Sequence, residues 1–573
     1  MVRRSGDSIN GNMLRLNANK LGWIVTIVLA VLVLFPLAAV IVQVLLPGIF
    51  FGSLNFGDIG LLLELFERPL WRKSLENSLI LGFGTAVLGT LLGTVLAMAR
   101  MQWKFPGARS LDAAVWVLFI MPSFILAQGW IMFSTGNGLA ASIFGWHWVT
   151  AAVFQPAGLI VIMTLSKFPL AYLSVKAAME WKVEMLSDAA RLCGAGPFKV
   201  WRTVQAPLLL PAILSGMALV FMDTIGDFGL PSAVAAVYRF PTLPYSIYSA
   251  IYTSPIRFDM AGVLSLYLVA LIAVAMLLQF WVLRRSRYDV LSGRAVPSVP
   301  KPAGRRMTWV LAVGNVVLLL AVIGIPIGSS IVTSLLKIQT NGLTASNLTL
   351  QNYASLLSEG SSLLPGLGRS LLIAGSAAVI GLIVGLGASF VLSYSRFRFK
   401  RGIETASLIS FAVPGVVLGI GYIFVWNQPW LESLGIRLYG KPGILVLAAI
   451  AGAIPVITRV MTGAMAKVPE SLLDAAQMQG GSLISRIRHI LAPLVRGALI
   501  SAGLAAFGAC VFDLAVNSIL FPPNFETLPV AIDDAFEDLR FGYASAATVA
   551  GGGIVVCIIM ILERLLRRKE ASA

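Results

Sequence analysis

The sequence predicts an all-α polytopic membrane protein, with about 12 transmembrane helices in two tandem six-helix halves. Three observations carry that fold class. The 573-residue chain is 58% hydrophobic and 12% charged, where a soluble protein holds about 25% charge, and its mean hydropathy is +0.86. Apolar runs long enough to cross ~30 Å of hydrocarbon as helices recur along it. A patterned cluster of small and charged residues in the first half also returns in the second.

The apolar runs place spans near 21–46, 78–99, 112–134, 155–176, 207–226 and 261–283, then 308–334, 369–395, 404–426, 443–464, 494–519 and 544–563. The first is too long for the apolar core of a signal peptide and lacks a small-residue cleavage site, so it is expected to be retained. With the N-terminus in the cytoplasm, alternate loops collect cations: Arg3 and Lys20, Arg100 and Lys104, Lys176 to Arg202, Arg396 to Arg401, Arg459 to Arg496, and Arg564 to Lys569. That bias predicts a cytoplasmic C-terminus as well. It also accounts for the net charge of +17 without invoking nucleic acid.

The stretch RRSRYDVLSGRAVPSVPKPAGRR, Arg284 to Arg306, is basic and rich in Pro, Gly and Ser. It reads as a flexible linker, dividing the chain into a first half at 1–283, a linker at 284–307 and a second half at 308–573. Three widely spaced cysteines (Cys193, Cys510, Cys557) and two histidines (His147, His489) give no disulfide framework, metal set or catalytic constellation. No GxxxxGK[ST] phosphate loop occurs, since Gly440-Lys441 is followed by Pro442.

Internal repetition is the strongest signal. Asp188, Ala189, Ala190 and Gly194 return as Asp474, Ala475, Ala476 and Gly480 at one constant separation, which Pro207/Pro493 and Asp227/Asp513 also keep. Upstream, FIMPSFILAQGW (Phe119 to Trp130) matches FAVPGVVLGIGY (Phe411 to Tyr422). Six spans per half is even, so the halves run in the same direction as parallel repeats. In each patterned loop, about 180–207 and 466–493, an Ala-rich short helix is stopped by Gly, and a second short helix leads to the proline. Small side chains there let another surface approach the backbone.

These twinned loops resemble the EAA loop of binding-protein-dependent ABC importer permeases, with Asp where that family often has Glu. The resemblance implies the type I permease fold and a multi-pass place in a bacterial inner membrane. It makes Asp188, Ala189, Ala190, Gly194, Asp474, Ala475, Ala476 and Gly480 the residues that couple the chain to a homodimeric ATPase. ATP and Mg are then bound by that partner, this chain has no cofactor and no catalytic residue, and an extracytoplasmic binding protein delivers the cargo.

The fused two-half form is similar to the ferric iron and thiamine branch, and GDFGLPSAV (Gly226 to Val234) is similar to a stretch common there; Asp513-Leu514 departs from it. Ferric iron is the expected cargo, with thiamine, polyamine and aminoethylphosphonate as alternatives and a gradient-driven secondary transporter as the rival class. Asp223, Asp227 and Asp513 lie nearest the membrane interior, where a charge costs about 2.5–3.5 kcal/mol on insertion scales. Either they line a path for a cation, or they cap helices at the outer interface and pair with Arg239 or Arg540. Lys167, near the cytoplasmic half of the fourth span, is expected to snorkel or pair and is given no role. Acids at Asp533, Asp534, Glu537 and Asp538, and at Asp58, Glu64, Glu67 and Glu76, are either docking groups or a solvated face. The small residues of Gly84 to Ala97 and Gly381 to Phe390 predict close helix packing. Trp130 and Tyr422 are read as interfacial anchors, with a gate as the alternative.

Overall fold

The computed structural model describes residues 19–47, 57, 59–179, 183–238, 240–285, 300–358 and 360–571. Among them, nine helices are long and apolar enough to span a membrane, and twelve spans result if each of three sharply bent helix pairs is one span. The span helices are α1 (Asn19–Leu45), α2 (Pro69–Gln102), the bent pair α3 (Ala108–Ile120) and α4 (Ser123–Phe144), α5 (Pro156–Met179), α6 (Phe198–Gly226) and α7 (Phe258–Leu283). The second set is α8 (Arg305–Ser334), α9 (Leu363–Tyr394), the bent pair α10 (Lys400–Ala412) and α11 (Gly415–Trp426), α12 (Pro442–Met465), the bent pair α13 (Leu483–Leu494) and α14 (Arg496–Val511), and α15 (Phe541–Leu566).

The bends are where the expected spans 112–134 and 404–426 prove not to be straight. The α3–α4 pair turns by 106° and the α10–α11 pair by 112°. Proline forces both. The residue before it is pushed out of the helical region, and Met121 and Val413 sit at ψ 129° and 125°. The expected span 494–519 also breaks: α14 ends at Val511, and a new short helix, Leu514–Leu520, starts after Asp513.

The chain folds as two compact units. One comprises the described parts of Met1–Gly57, Leu356–Asp534 and Ala550–Ala573; the other those of Asp58–Ser355 and Ala535–Val549. Within the first, α9 packs along α12 and α14, and α1 packs on α11. Within the second, α2 packs along α5 and α6, and α8 packs on α4. The first span of each half therefore belongs to the unit built mostly from the other half of the chain.

One device seats both of these first spans. Pro36 in α1 lies so close to Gly421 that a Cβ there would collide with its carbonyl, and Pro326 in α8 stands in the same relation to Gly129. Each proline follows a π-helical turn, Ala30–Leu34 or Leu320–Gly324, as expected where a missing N–H disturbs the helical ladder. The Leu32 carbonyl that Pro36 cannot satisfy accepts instead from the Tyr422 hydroxyl at 3.0 Å. Tyr422 is fully buried. It is a core residue of its unit, and the interfacial position expected from sequence is not where it lies; Trp130 likewise packs into apolar clusters of its own unit.

The glycine stretches do pack closely. A Cβ on Gly93 would press on the α5 backbone at Phe168 and Tyr172, and one on Gly385 would press on Ile457 of α12. Of the expected flexible linker, residues 286–299 lie outside the described residues. Its end is ordered: Lys301–Pro302 pairs in parallel with Trp103–Lys104.

Candidate functional site

The two patterned loops fold alike. Their short helices run Val183–Leu192 and Glu470–Met478. Each closes on a glycine with positive φ, +81° at Gly194 and +83° at Gly480, a conformation that costs other L-residues about 1–2 kcal/mol. The closing bonds match as well. Gly194 N donates to Arg191 O at 2.9 Å and Ala195 N to Ala190 O at 3.1 Å; Gly480 N donates to Gln477 O at 2.9 Å and Gly481 N to Ala476 O at 3.0 Å. This is the Schellman arrangement, which satisfies the last carbonyls of a helix. A π-helical turn then precedes each proline, Trp201–Gln205 before Pro207 and Ile487–Leu491 before Pro493.

What the loops show to the outside also matches. Ala189 and Ala475 are exposed, while Ala190 and Ala476 are half-buried. A Cβ on Gly194 or Gly480 would meet nothing within 4 Å. Around these glycines stand large apolar side chains: Leu192 is 90% exposed, its counterpart Met478 89%, Phe198 71% and its counterpart Ile484 75%. Sequence reasoning missed these four residues. They sit at repeat-equivalent positions, and an apolar pair kept in register inside two polar loops is the signal that could have found them. Apolar side chains grouped on an exposed face are the kind of surface that protein or membrane contacts use.

Inside the membrane region the repeat equivalents diverge. Lys167 lies halfway along the 24-residue α5, about 17 Å from either end at 1.5 Å per residue. Its ammonium contacts Asp223 and Asp227, each at 2.6 Å. Asp227 is buried and also accepts from Ser123 Oγ at 2.7 Å and from Leu230 N at 3.2 Å. The Asp223 side chain is 49% exposed. Both acids therefore lie within a lysine side chain's reach of the middle of α5, with Lys167 as their cation. Arg540 instead reaches Asp538, and Arg239 lies outside the described residues. Asp513 caps Leu514–Leu520 by accepting from Val516 N at 3.1 Å, as Asp227 does for Leu230. The counterparts of Lys167, Asp223 and Ser123 are Ala453, Ala509 and Gly415, so the charge cluster is built in one half only. Among the described residues, no group of three or more His, Cys, Asp or Glu is gathered to hold a metal ion.

Of the outer acids, Glu64 is already engaged. Arg257 holds it through two bonds of 2.9 and 3.1 Å, and that guanidinium keeps its carboxyl below the usual range. Burial and the neighbouring Asp538 push Glu537 upward. Glu76 pairs with Arg72.

Two stretches, residues 89–288 and 377–571, match the family described as the binding-protein-dependent transport system inner membrane component. The chain belongs to this family. It is the permease component of an ABC transporter, set in the inner membrane, with ATP hydrolysis carried by a separate subunit and a substrate-binding protein as the other partner. Both matched stretches contain a patterned loop, so each half is a permease module. The chain is 23% identical to the ferric transport system permease protein FbpB of Actinobacillus pleuropneumoniae, over 86% of this chain and 70% of that one. It is 23% identical to a probable ABC transporter permease, y4fN, of Sinorhizobium fredii, over 95% and 96%. A putative 2-aminoethylphosphonate transport system permease, PhnV, of Salmonella paratyphi A is 27% identical over 47% of this chain and 97% of its own length.

Proposed function

We propose that this permease imports ferric iron, handed over by an extracytoplasmic binding protein, and that its two patterned loops receive the work of a homodimeric ATPase. The observation that carries the coupling role is the duplicated outer surface of the loops. Two copies of one ATPase offer two like grooves, and the pairs Leu192/Met478 and Phe198/Ile484 offer like tips to fill them. Asp188, Ala189, Ala190 and Gly194, with Asp474, Ala475, Ala476 and Gly480, form the close-approach face. The ATPase binds ATP and Mg. Its closure draws the loops inward and shifts the permease between two states, which the loaded binding protein biases from the other side. Both termini are then cytoplasmic, in keeping with the cation-rich loops.

Ferric iron is favoured by the FbpB relative and by the aspartates beside the middle of α5. A second reading, import of 2-aminoethylphosphonate, is favoured by the PhnV relative and by Lys167 beside those aspartates. The complete transporter in liposomes, supplied with loaded binding protein, tests both. Radiolabelled iron should accumulate with ATP and stay outside without it. Uptake driven by an ion gradient in the absence of ATP would rule out the importer reading in favour of a secondary carrier.

A further inference from the structure

We propose that Lys167 is a resident counter-ion, which neutralises the membrane-embedded acids while the permease is empty and yields Asp223 to a cationic cargo. The inference rests on the importer reading and deepens it by assigning the charge class of what passes.

The two carboxylates are held very differently. Asp227 is fixed, its side chain only 3% exposed and bound by Ser123, the Leu230 amide and Lys167. Asp223 has Lys167 as its one partner among the described residues, and half of its side chain is open. Its neighbours on α6, Met222, Thr224 and Ile225, are buried. An ionised carboxylate on a span helix, paired with a lysine at the middle of α5, is strongly disfavoured against acyl chains. Its open side therefore faces water within the protein.

One lysine between two carboxylates leaves a net charge of −1. A flexible four-carbon stem lets the ammonium contact both acids or fall back on one. When a cation reaches Asp223, Lys167 keeps Asp227 neutralised, and the cargo meets a single carboxylate. When the cation leaves, Lys167 returns. The buried Asp227 is thus never left without a partner, a loss that strongly destabilises a buried ion pair. The cargo, bound through one exchangeable group, is also held weakly enough to pass on. With Ala453, Ala509 and Gly415 at the matching positions, the device exists once per chain.

The test is uptake by the complete transporter in liposomes, with radiolabelled ferric iron and 2-aminoethylphosphonate each presented on a binding protein, and thiamine and a polyamine as further cationic probes. Asp223→Asn should cut cation uptake at least about tenfold while yield and unfolding temperature hold, because Lys167 retains Asp227. Asp223→Glu should restore uptake to within about threefold. Iron uptake within twofold of the parent in D223N overturns the inference and leaves the iron reading standing. So does a loss shared by D223N and D223E together with a lowered unfolding temperature, which marks a purely structural pair. A parent that carries thiamine or a polyamine but no iron, and loses that uptake in D223N, supports the inference and ends the iron reading. A parent that carries only 2-aminoethylphosphonate ends both.

Discussion

The two patterned loops are the same on the outside and different within. Their tips, turns and glycines superpose in kind, yet the buried positions beneath exchange polarity. In the first loop Ser187 and Gln205 are buried and bonded to each other at 3.2 Å, and Val200 is the apolar plug. In the second, Leu473 and Leu491 occupy the Ser187 and Gln205 positions, and the plug is Arg486. That arginine donates to Gln477 at 2.8 Å, and its Nε finds no acceptor. Each loop thus has one polar pair in its core, placed differently. The lesson is that the outer face is constrained by something common to both loops, whereas the inner packing answers only to its own unit.

The sharpest way to break that comparison is to exchange the plugs. Val200→Arg puts a cation into a core where the counterpart of Gln477, residue 191, is itself an arginine, bound to Asp188 at 3.0 Å. A buried charge without a partner costs about 3–5 kcal/mol. The variant should lose its folded first loop, seen as rapid proteolysis there and a fall in yield. The reverse change, Arg486→Leu, should move the unfolding free energy by less than about 1 kcal/mol, since replacing a poorly satisfied buried ion with an apolar residue is often neutral. Equal damage from both changes would mean that the inner cores are not independent.

Next in size are the tips. Leu192→Asp and Met478→Asp leave the core of each loop untouched, because both side chains point into open space. Burial of such a side chain against a partner contributes about 2 kcal/mol, so each change should weaken ATPase association roughly 30-fold. Co-purification and titration of the ATPase onto the detergent-solubilised permease would measure it. A large effect at one tip and none at the other would show that the loops are not equivalent docking points. Replacing Gly194 and Gly480 together with Asn is a companion change. Asn tolerates positive φ, so the turns should survive while the added side chains block close approach, and transport should fall with the protein still inserted.

Much of this was legible in the sequence. Span number, repetition and the loop glycines follow from hydropathy, spacing and turn chemistry, all of which act over a few residues. The Lys167 cluster was half legible: Asp223 and Asp227 stand out as acids near an apolar run, but their partner lies on another helix, and no local pattern reports which helix comes beside it. Tyr422 was misplaced for the same reason. Its hydroxyl is accounted for by a carbonyl left free in α1, a residue hundreds of positions away. The swapped seating of α1 and α8 is likewise tertiary, with only Gly129 and Gly421 to hint at a close neighbour.

The smallest expected effect concerns what holds the first loop from the side. Lys301, on the ordered end of the linker, contacts Asp188 at 3.2 Å, and its strand pairs with Trp103–Lys104. Both side chains are about half exposed, so the contact is worth less than about 1 kcal/mol and is screened by salt. Lys301→Ala should therefore leave yield and unfolding temperature alone. Its trace should be local: backbone hydrogen exchange in Val183–Leu192 faster by up to about fivefold, with Glu470–Met478 unchanged. High salt should reproduce the same acceleration in the parent, because it weakens the same pair. An equal change in both loops would place the effect in a shared motion of the bundle, and no change in either would mean that the strand pairing alone holds the linker.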